Sequence, residues 1–177
     1  MVDPGTSQRW LYRLIFTGLA LGVLLVQLVS VGDGIPGIPG PDLLICLVLV
    51  WIQRRPDYVP LLLLAPVLLI ADFLLMRPPG LWAALTLIGA EFMRRQQIGG
   101  KDLPFMVEWG TVTVVIIAIT LAHWAINALV AAPPVLLLAG MLQALTTALA
   151  YPLVLGVCLY AFNIRKRPLD GQRFGGT

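Results

Sequence analysis

The sequence is poor in the side chains that carry covalent and hydrolytic chemistry. It has two serines, Ser7 and Ser30, and a single histidine, His123. Neither serine stands in a G-x-S-x-G turn, so a hydrolytic site has almost nothing to be built from. No H-E-x-x-H, C-x-x-C or Walker-type glycine loop is present, and no cofactor or metal is expected. The two cysteines, Cys46 and Cys158, stand inside apolar runs, where a thiol acts as a small hydrophobe and not as a disulfide partner or metal ligand. Charge is scarce as well. Only 12% of residues are Asp, Glu, Lys or Arg and 59% are hydrophobic, against roughly a quarter and a half in soluble domains. No polar stretch is long enough to hide a water-soluble domain. The mean hydropathy of +0.90 and a pI near 9.2 therefore point to an all-α integral membrane protein, with basic residues beside helix ends and no nucleic-acid face. The expectation is a single polytopic domain over residues 1–177, with short tails at 1–9 and 164–177.

The distribution of positive charge sets the threading. With the apolar runs read as six transmembrane helices, Arg9 and Arg13 precede the first, and Arg54 and Arg55 lie between the second and third. Arg94, Arg95 and Lys101 lie between the fourth and fifth, and Arg165, Lys166, Arg167 and Arg173 follow the sixth. Eleven of the 12 Lys and Arg residues thus share one side, and Arg77 is the only one in the alternate loops. The positive-inside bias makes that side cytoplasmic, with both termini on it. No five-helix or seven-helix threading keeps the asymmetry. The run Leu14 to Val31 follows a basic segment but is too long for a signal-peptide core and lacks an A-x-A-like site, so it reads as a retained helix.

The first helix is expected from about Trp10 to Val31, with Gly18 and Gly22 as a G-x-x-x-G pair that admits another backbone. The segment Gly32 to Pro41 holds three prolines, and glycines at every second or third position, and it cannot be helical. The second helix, Asp42 to Gln53, is about 18 Å long at 1.5 Å per residue, too short to cross alone. The irregular Ile35 to Pro41 segment is therefore expected to enter the membrane, where protein or water must satisfy its backbone. Pro41-Asp42 reads as a helix start, with the carboxylate favoured by the N-terminal dipole. The third helix, Tyr58 to Met76, contains Pro66, and the fourth, Gly80 to Met93, is again short. The fifth runs from Pro104 to about Val130. The sixth runs from Pro133-Pro134 to Asn163, interrupted by Pro152.

Asp72 stands out, in Leu69-Ile70-Ala71-Asp72-Phe73-Leu74. A carboxylate there costs roughly 2.5–3.5 kcal/mol on insertion scales, less near the interface. It is expected to face protein or water, either as a polar anchor for the irregular Gly-Pro segment or a partner helix, or as a neutral acid that fixes packing. Arg77 is five residues on, about 140° around a helix, so a same-face ion pair is not assured. Glu91 has Arg94 and Arg95 at the favoured i+3 and i+4 spacings. Glu108 reads as a solvated charge suited to the dipole of the fifth helix. His123 and Asn127 read as an interfacial hydrogen-bonded pair beside Trp124. In the sixth helix Gly140, Ala144, Ala148, Pro152 and Gly156 recur every four residues, with Gln143, Thr147 and Tyr151 alongside. Small residues next to hydrogen-bonding ones mark helix contact in lipid, whether within the chain or to another protein.

The stretch Gly40-Pro41-Asp42-Leu43-Leu44-Ile45-Cys46, then Trp51, Arg54-Arg55-Pro56-Asp57-Tyr58-Val59-Pro60, Leu69-Ile70-Ala71-Asp72 and Arg77-Pro78-Pro79-Gly80-Leu81-Trp82 resembles the MreD family. These are small rod shape-determining membrane proteins of bacteria. In that pattern a proline opens the second helix, an acid sits deep in the third and a proline interrupts the last; Pro41, Asp72 and Pro152 match those positions, and Asp42 and Arg77 beside them are further candidates for structural or partner contacts. The resemblance implies a non-enzymatic scaffold of the cell-elongation machinery in the inner (cytoplasmic) membrane. Its implied partners are an MreC-like single-helix periplasmic protein, MreB-like filaments, a RodA-like polymerase and a class B penicillin-binding protein. The family is also similar in fold to the S-components of energy-coupling-factor transporters, so a small-molecule-binding transporter subunit is the alternative. Such a pocket would draw on Asp72, Arg77, Trp82, His123 and Asn127. An intramembrane enzyme is disfavoured by the missing nucleophile–base set.

The threading predicts the outcome of reporter fusions. Alkaline phosphatase joined after Asn163 is expected to be inactive, and joined within Gly32 to Gly40 active. The reverse at either point refutes six spans with cytoplasmic termini.

Overall fold

The computed structural model describes residues 4–33, 40–97, 104–130 and 136–162. Among them are six α-helices: α1 (Pro4–Asp33), α2 (Leu43–Arg54), α3 (Leu61–Leu74), α4 (Leu81–Gln97), α5 (Phe105–Leu129) and α6 (Leu137–Phe162). A 3₁₀ turn, Pro56–Tyr58, joins α2 to α3. Three segments are long and apolar enough to cross a membrane: Gln8–Val29, Phe105–Leu129 and Leu137–Tyr160. The shorter apolar helices are α2 and α3.

At the centre is α2. Every residue from Leu44 to Gln53 is buried, which is the behaviour of a helix that is apolar all round. It packs against α1, α4 and α6, while α3 pairs with α4, and α5 packs on both α4 and α6. This surrounds α2 with protein, so its 12 residues do not have to span anything. The expected shortness of the second helix is what the structure shows, from Leu43 to Arg54.

Several boundaries differ from the sequence reading. The first helix begins at Pro4, six residues before Trp10, and α4 continues to Gln97. The third starts at Leu61 and not Tyr58. Pro56 and Pro60 flank a separate turn there, and residues before proline are disfavoured in helical geometry. The expected starts at Pro133-Pro134 and end at Asn163, like residues 34–39, lie outside the described residues.

Close approach of α4 and α5 depends on Gly89. A Cβ added there would stand 2.8 Å from Ile119 Cδ1 and 3.0 Å from Val115 Cγ1. By contrast, a Cβ on Gly18 or Gly22 would meet no heavy atom within 4 Å, so the G-x-x-x-G pair of α1 is not used within the described chain. The face of α1 that does pack inward carries Phe16, Ala20 and Leu24, each at most 2% exposed.

The end of α3 carries a Schellman turn. Arg77 N–H donates to Asp72 O at 3.0 Å and Met76 N–H to Phe73 O at 3.4 Å. This geometry puts Met76 at φ 51, the left-handed position that glycine usually fills. Met76 is also 95% exposed, so its side chain makes little contact to offset the strain. Replacement by glycine is expected to stabilise the fold by about 0.5–1 kcal/mol, while β-branched valine destabilises it. Thermal melting in mild detergent should rank Gly above Met above Val; a flat series would show an unstrained turn.

Candidate functional site

Asp42 caps α2. Its Oδ1 accepts from Ile45 N–H at 3.3 Å and from Gln27 Nε2 of α1 at 3.3 Å. Its Oδ2 accepts from Arg77 Nη1 at 2.9 Å, and its backbone N–H donates to Thr147 Oγ1 of α6 at 2.9 Å. The Thr147 hydroxyl in turn donates to Gln143 O at 2.6 Å. Cys46 Sγ donates to Thr147 O at 3.2 Å, a minor contact for an otherwise apolar side chain. The Asp42 carboxylate thus ties together α1, α2 and the α3–α4 turn, and its backbone N–H adds α6. Arg77 completes the cluster, its guanidinium 4.9 Å from the centre of the Trp82 ring. Trp82 meets His123 edge to face at 5.0 Å, and Asn127 Nδ2 donates to His123 O at 2.8 Å.

Asp72 is fully buried. Its Oδ2 accepts from Gly80 N–H at 2.9 Å and from Ala83 N–H at 3.1 Å. The carboxyl therefore caps α4 from across the turn, satisfying donors that an α-helix leaves free at its start. Gly80 itself has φ +85, a geometry that favours glycine. Gln27 Nε2 donates to Pro41 O at 3.5 Å and Asp72 holds its own hairpin, while the rest of the Ile35 to Pro41 segment that Asp72 was expected to anchor lies outside the described residues. Arg77 is drawn away from Asp72 to Asp42, as their separation around α3 suggested.

At the other end of α2 is a second polar cluster. Glu108 is 1% exposed, and its Oε1 accepts from Tyr151 OH at 3.1 Å and lies 3.2 Å from Arg54 Nη2. The expectation of a solvated charge is corrected. Glu108 is in the first turn of α5 but points between α2 and α6, where Arg54 and Tyr151 replace water. Nearby, Trp109 Nε1 donates to Ala148 O at 2.9 Å. Tyr12 stacks on Tyr58 at 4.6 Å, and Phe16 meets Trp51 edge-on at 5.4 Å, fastening α1 to the end of α2. Glu91 pairs with Arg95 at 3.2 Å and Arg94 at 3.8 Å, as its spacing predicts. Arg94 also donates to Val59 O.

The small-residue row of α6 divides. Ala144 and Ala148 are buried, and a Cβ on Gly140 would meet Thr120 Cγ2 at 3.2 Å. Pro152 is half-buried, and a Cβ on Gly156 would meet nothing within 4 Å. A four-residue step overshoots the helical turn by about 40°, so four steps carry the row roughly 160° around the axis. The buried seam is instead Ala144, Ala148, Tyr151, Leu155 and Cys158, with the alternating spacing of coiled-coil contacts.

Two features escaped the sequence reading. Gly89 gave no periodic signal, because a single close approach needs no repeat. The Arg54–Glu108–Tyr151 cluster was partly visible, since Arg54 and Glu108 fall at the same end of the threading and Tyr151 was in the polar row. Among the described residues, no three His, Cys, Asp or Glu side chains come together to hold a metal. No family model, curated protein or solved structure matches the chain.

The geometry around Asp72 predicts an ordered pair of variants. Asp72→Leu leaves the Gly80 and Ala83 N–H groups without their acceptor and should cost roughly 2–6 kcal/mol, at about 1–3 for each orphaned group. Asp72→Asn keeps a carbonyl in place and should cost less than half as much. Thermal melting in detergent reads the order; a loss in Asn equal to that in Leu would show that the charge, and not the acceptor, holds α4.

Proposed function

We propose that this chain is a non-enzymatic scaffold with six membrane spans and cytoplasmic termini, serving bacterial cell elongation in the inner membrane as members of the MreD family do. One observation carries the reading. The three buried carboxylates, Asp42, Asp72 and Glu108, are committed to ties within the chain: an Arg77 pair, a cap on α4 and an Arg54–Tyr151 cluster. Side chains committed to holding helices together suit a rigid platform better than a reaction centre. The outward surface is apolar, and the Gly18 and Gly22 face of α1 is open, which suits helix contact in lipid. In this reading the platform joins an MreC-like periplasmic protein and MreB-like filaments to a RodA-like polymerase and its class B penicillin-binding protein, and so maintains cell shape.

A second reading, a small-molecule-binding subunit like an S-component, also has a specific observation behind it. Thr147, which meets the start of α2, is ten residues into α6, about 15 Å along the helix. His123, which meets Trp82 near the start of α4, is about 9 Å from the end of α5. The starts of α2 and α4 are thus recessed below the ends of the long helices, with Arg77, Trp82 and His123 at that level. Against this, Asp42 Oδ2 and Arg77 Nη1 are already paired, so a ligand would compete with that tie for either atom.

Co-purification from mild detergent followed by mass spectrometry separates the two. The scaffold reading expects MreC-like and MreB-like proteins in stoichiometric recovery. Transporter ATPase subunits in their place would reverse it.

A further inference from the structure

On the outer side of the α3–α4 hairpin is a groove of about 760 Å³, within the range of sites that hold small molecules. Leu61, Ala65 and Pro66 form its α3 wall, and Leu87 and Phe92 its α4 wall. Pro66 lies inside α3, and Ala65 beside it adds little bulk. The groove is closed at one end by Glu91 and Arg95. Around this mouth two guanidinium groups, Arg94 and Arg95, face one carboxylate, Glu91, leaving a net positive charge. Arg95 spends Nε on Glu91, and its side chain is 75% exposed. Arg94 is by contrast held by Val59 O.

This flank is also short. The 14 residues of α3 give about 21 Å at 1.5 Å per residue, against a hydrocarbon core near 30 Å. On α4 the ten residues Leu81 to Ala90 give about 15 Å of apolar length before Glu91. A bilayer meeting so short an apolar band thins, and its headgroups are drawn inward at the charged end. Phosphate oxygens drawn to this level meet Arg95, whose planar fork suits them.

We propose that the groove seats one anionic phospholipid, its headgroup phosphate on Arg95 and an acyl chain along Ala65, Pro66 and Leu87. The excess of positive charge selects an anionic over a zwitterionic headgroup, and the apolar walls take the chain. The site needs only a membrane-embedded chain and does not depend on which complex that chain joins.

The test uses the full chain, purified and delipidated in maltoside detergent, with phosphatidylglycerol and phosphatidylcholine of identical acyl chains. Native mass spectrometry should find one retained phosphatidylglycerol, favoured over phosphatidylcholine by about fivefold or more, roughly 1 kcal/mol. Arg95→Ala removes the preference; it alters an exposed side chain, so folding is not at stake. Arg9→Ala, which removes one exposed positive charge elsewhere, leaves the preference intact. Ala65→Phe fills the groove and lowers retention of both lipids. Equal retention of the two lipids by the unmodified chain, or equal loss of preference in Arg9→Ala and Arg95→Ala, overturns the site in favour of general surface attraction. A photo-cross-linker at Leu62 that captures a protein and not lipid in native membranes overturns it in favour of a partner helix.

Discussion

Two helices in this chain start against buried carboxylates, which take up N–H groups that a helix leaves without partners at its beginning. That pairing organises the fold. A helix start leaves four donors without intrahelical partners, and each unsatisfied group in an apolar medium costs several kcal/mol. Asp42 answers it for α2, and Asp72 for α4. Both acids also sit at the positive end of a helix dipole, where a carboxylate is stabilised. Because each start is satisfied from within, α2 can be surrounded by protein along its whole length.

The two caps do different work beyond that. Asp72 acts within one hairpin, closing α3 onto α4. Asp42 gathers separate elements, since Gln27, Arg77 and Thr147 come from α1, the α3–α4 turn and α6. Removing one partner of such a buried pair leaves an uncompensated charge, which costs more than the pair contributes. α6 is the element that both polar clusters share. Thr147 serves the start of α2, and Tyr151, one turn later, reaches Glu108 and so the Arg54 end. The registration of α6 against α2 is therefore fixed by two hydrogen-bonding residues in a seam of otherwise apolar ones. Pro152 follows directly in the sequence, and its missing N–H leaves Ala148 O without its usual helical donor; Trp109 Nε1 donates to that carbonyl.

The sequence was most legible where one feature has one physical meaning. Pro41-Asp42 as a helix start, the shortness of the second helix, the Glu91 ion pairs and the His123–Asn127 contact all follow from spacing and local chemistry. Asp72 could be singled out by its cost, but not its target: the donors it satisfies are exposed by the turn at Gly80, which depends on how α3 ends. Glu108 was misread because a charge in a first helical turn is normally solvated, and only tertiary packing placed Arg54 and Tyr151 over it. The small-residue row of α6 matched a four-residue repeat that no straight helix can keep on one face. A period closer to 3.5, read through Ala144, Ala148, Tyr151, Leu155 and Cys158, would have found the buried seam.

What the polar ties leave over is as informative as what they hold. On α1, Phe16, Ala20 and Leu24 turn inward, fastened at one end by the Tyr12–Tyr58 stack and near the other by Gln27. The opposite side carries Leu11, Leu14, Leu21, Leu25 and Leu28, all exposed, with Gly18 and Gly22 in their midst. In lipid, leucines alone give no drive to associate, because acyl chains are as apolar as they are. A notch of two glycines changes that by letting backbones approach and by increasing van der Waals contact. Since the buried carboxylates are tied up inside, any recognition on this face would rest on shape and not on charge. A helix docked against the notch would draw on neither Asp42 nor Asp72, so its contact would be energetically separable from the internal architecture of the bundle.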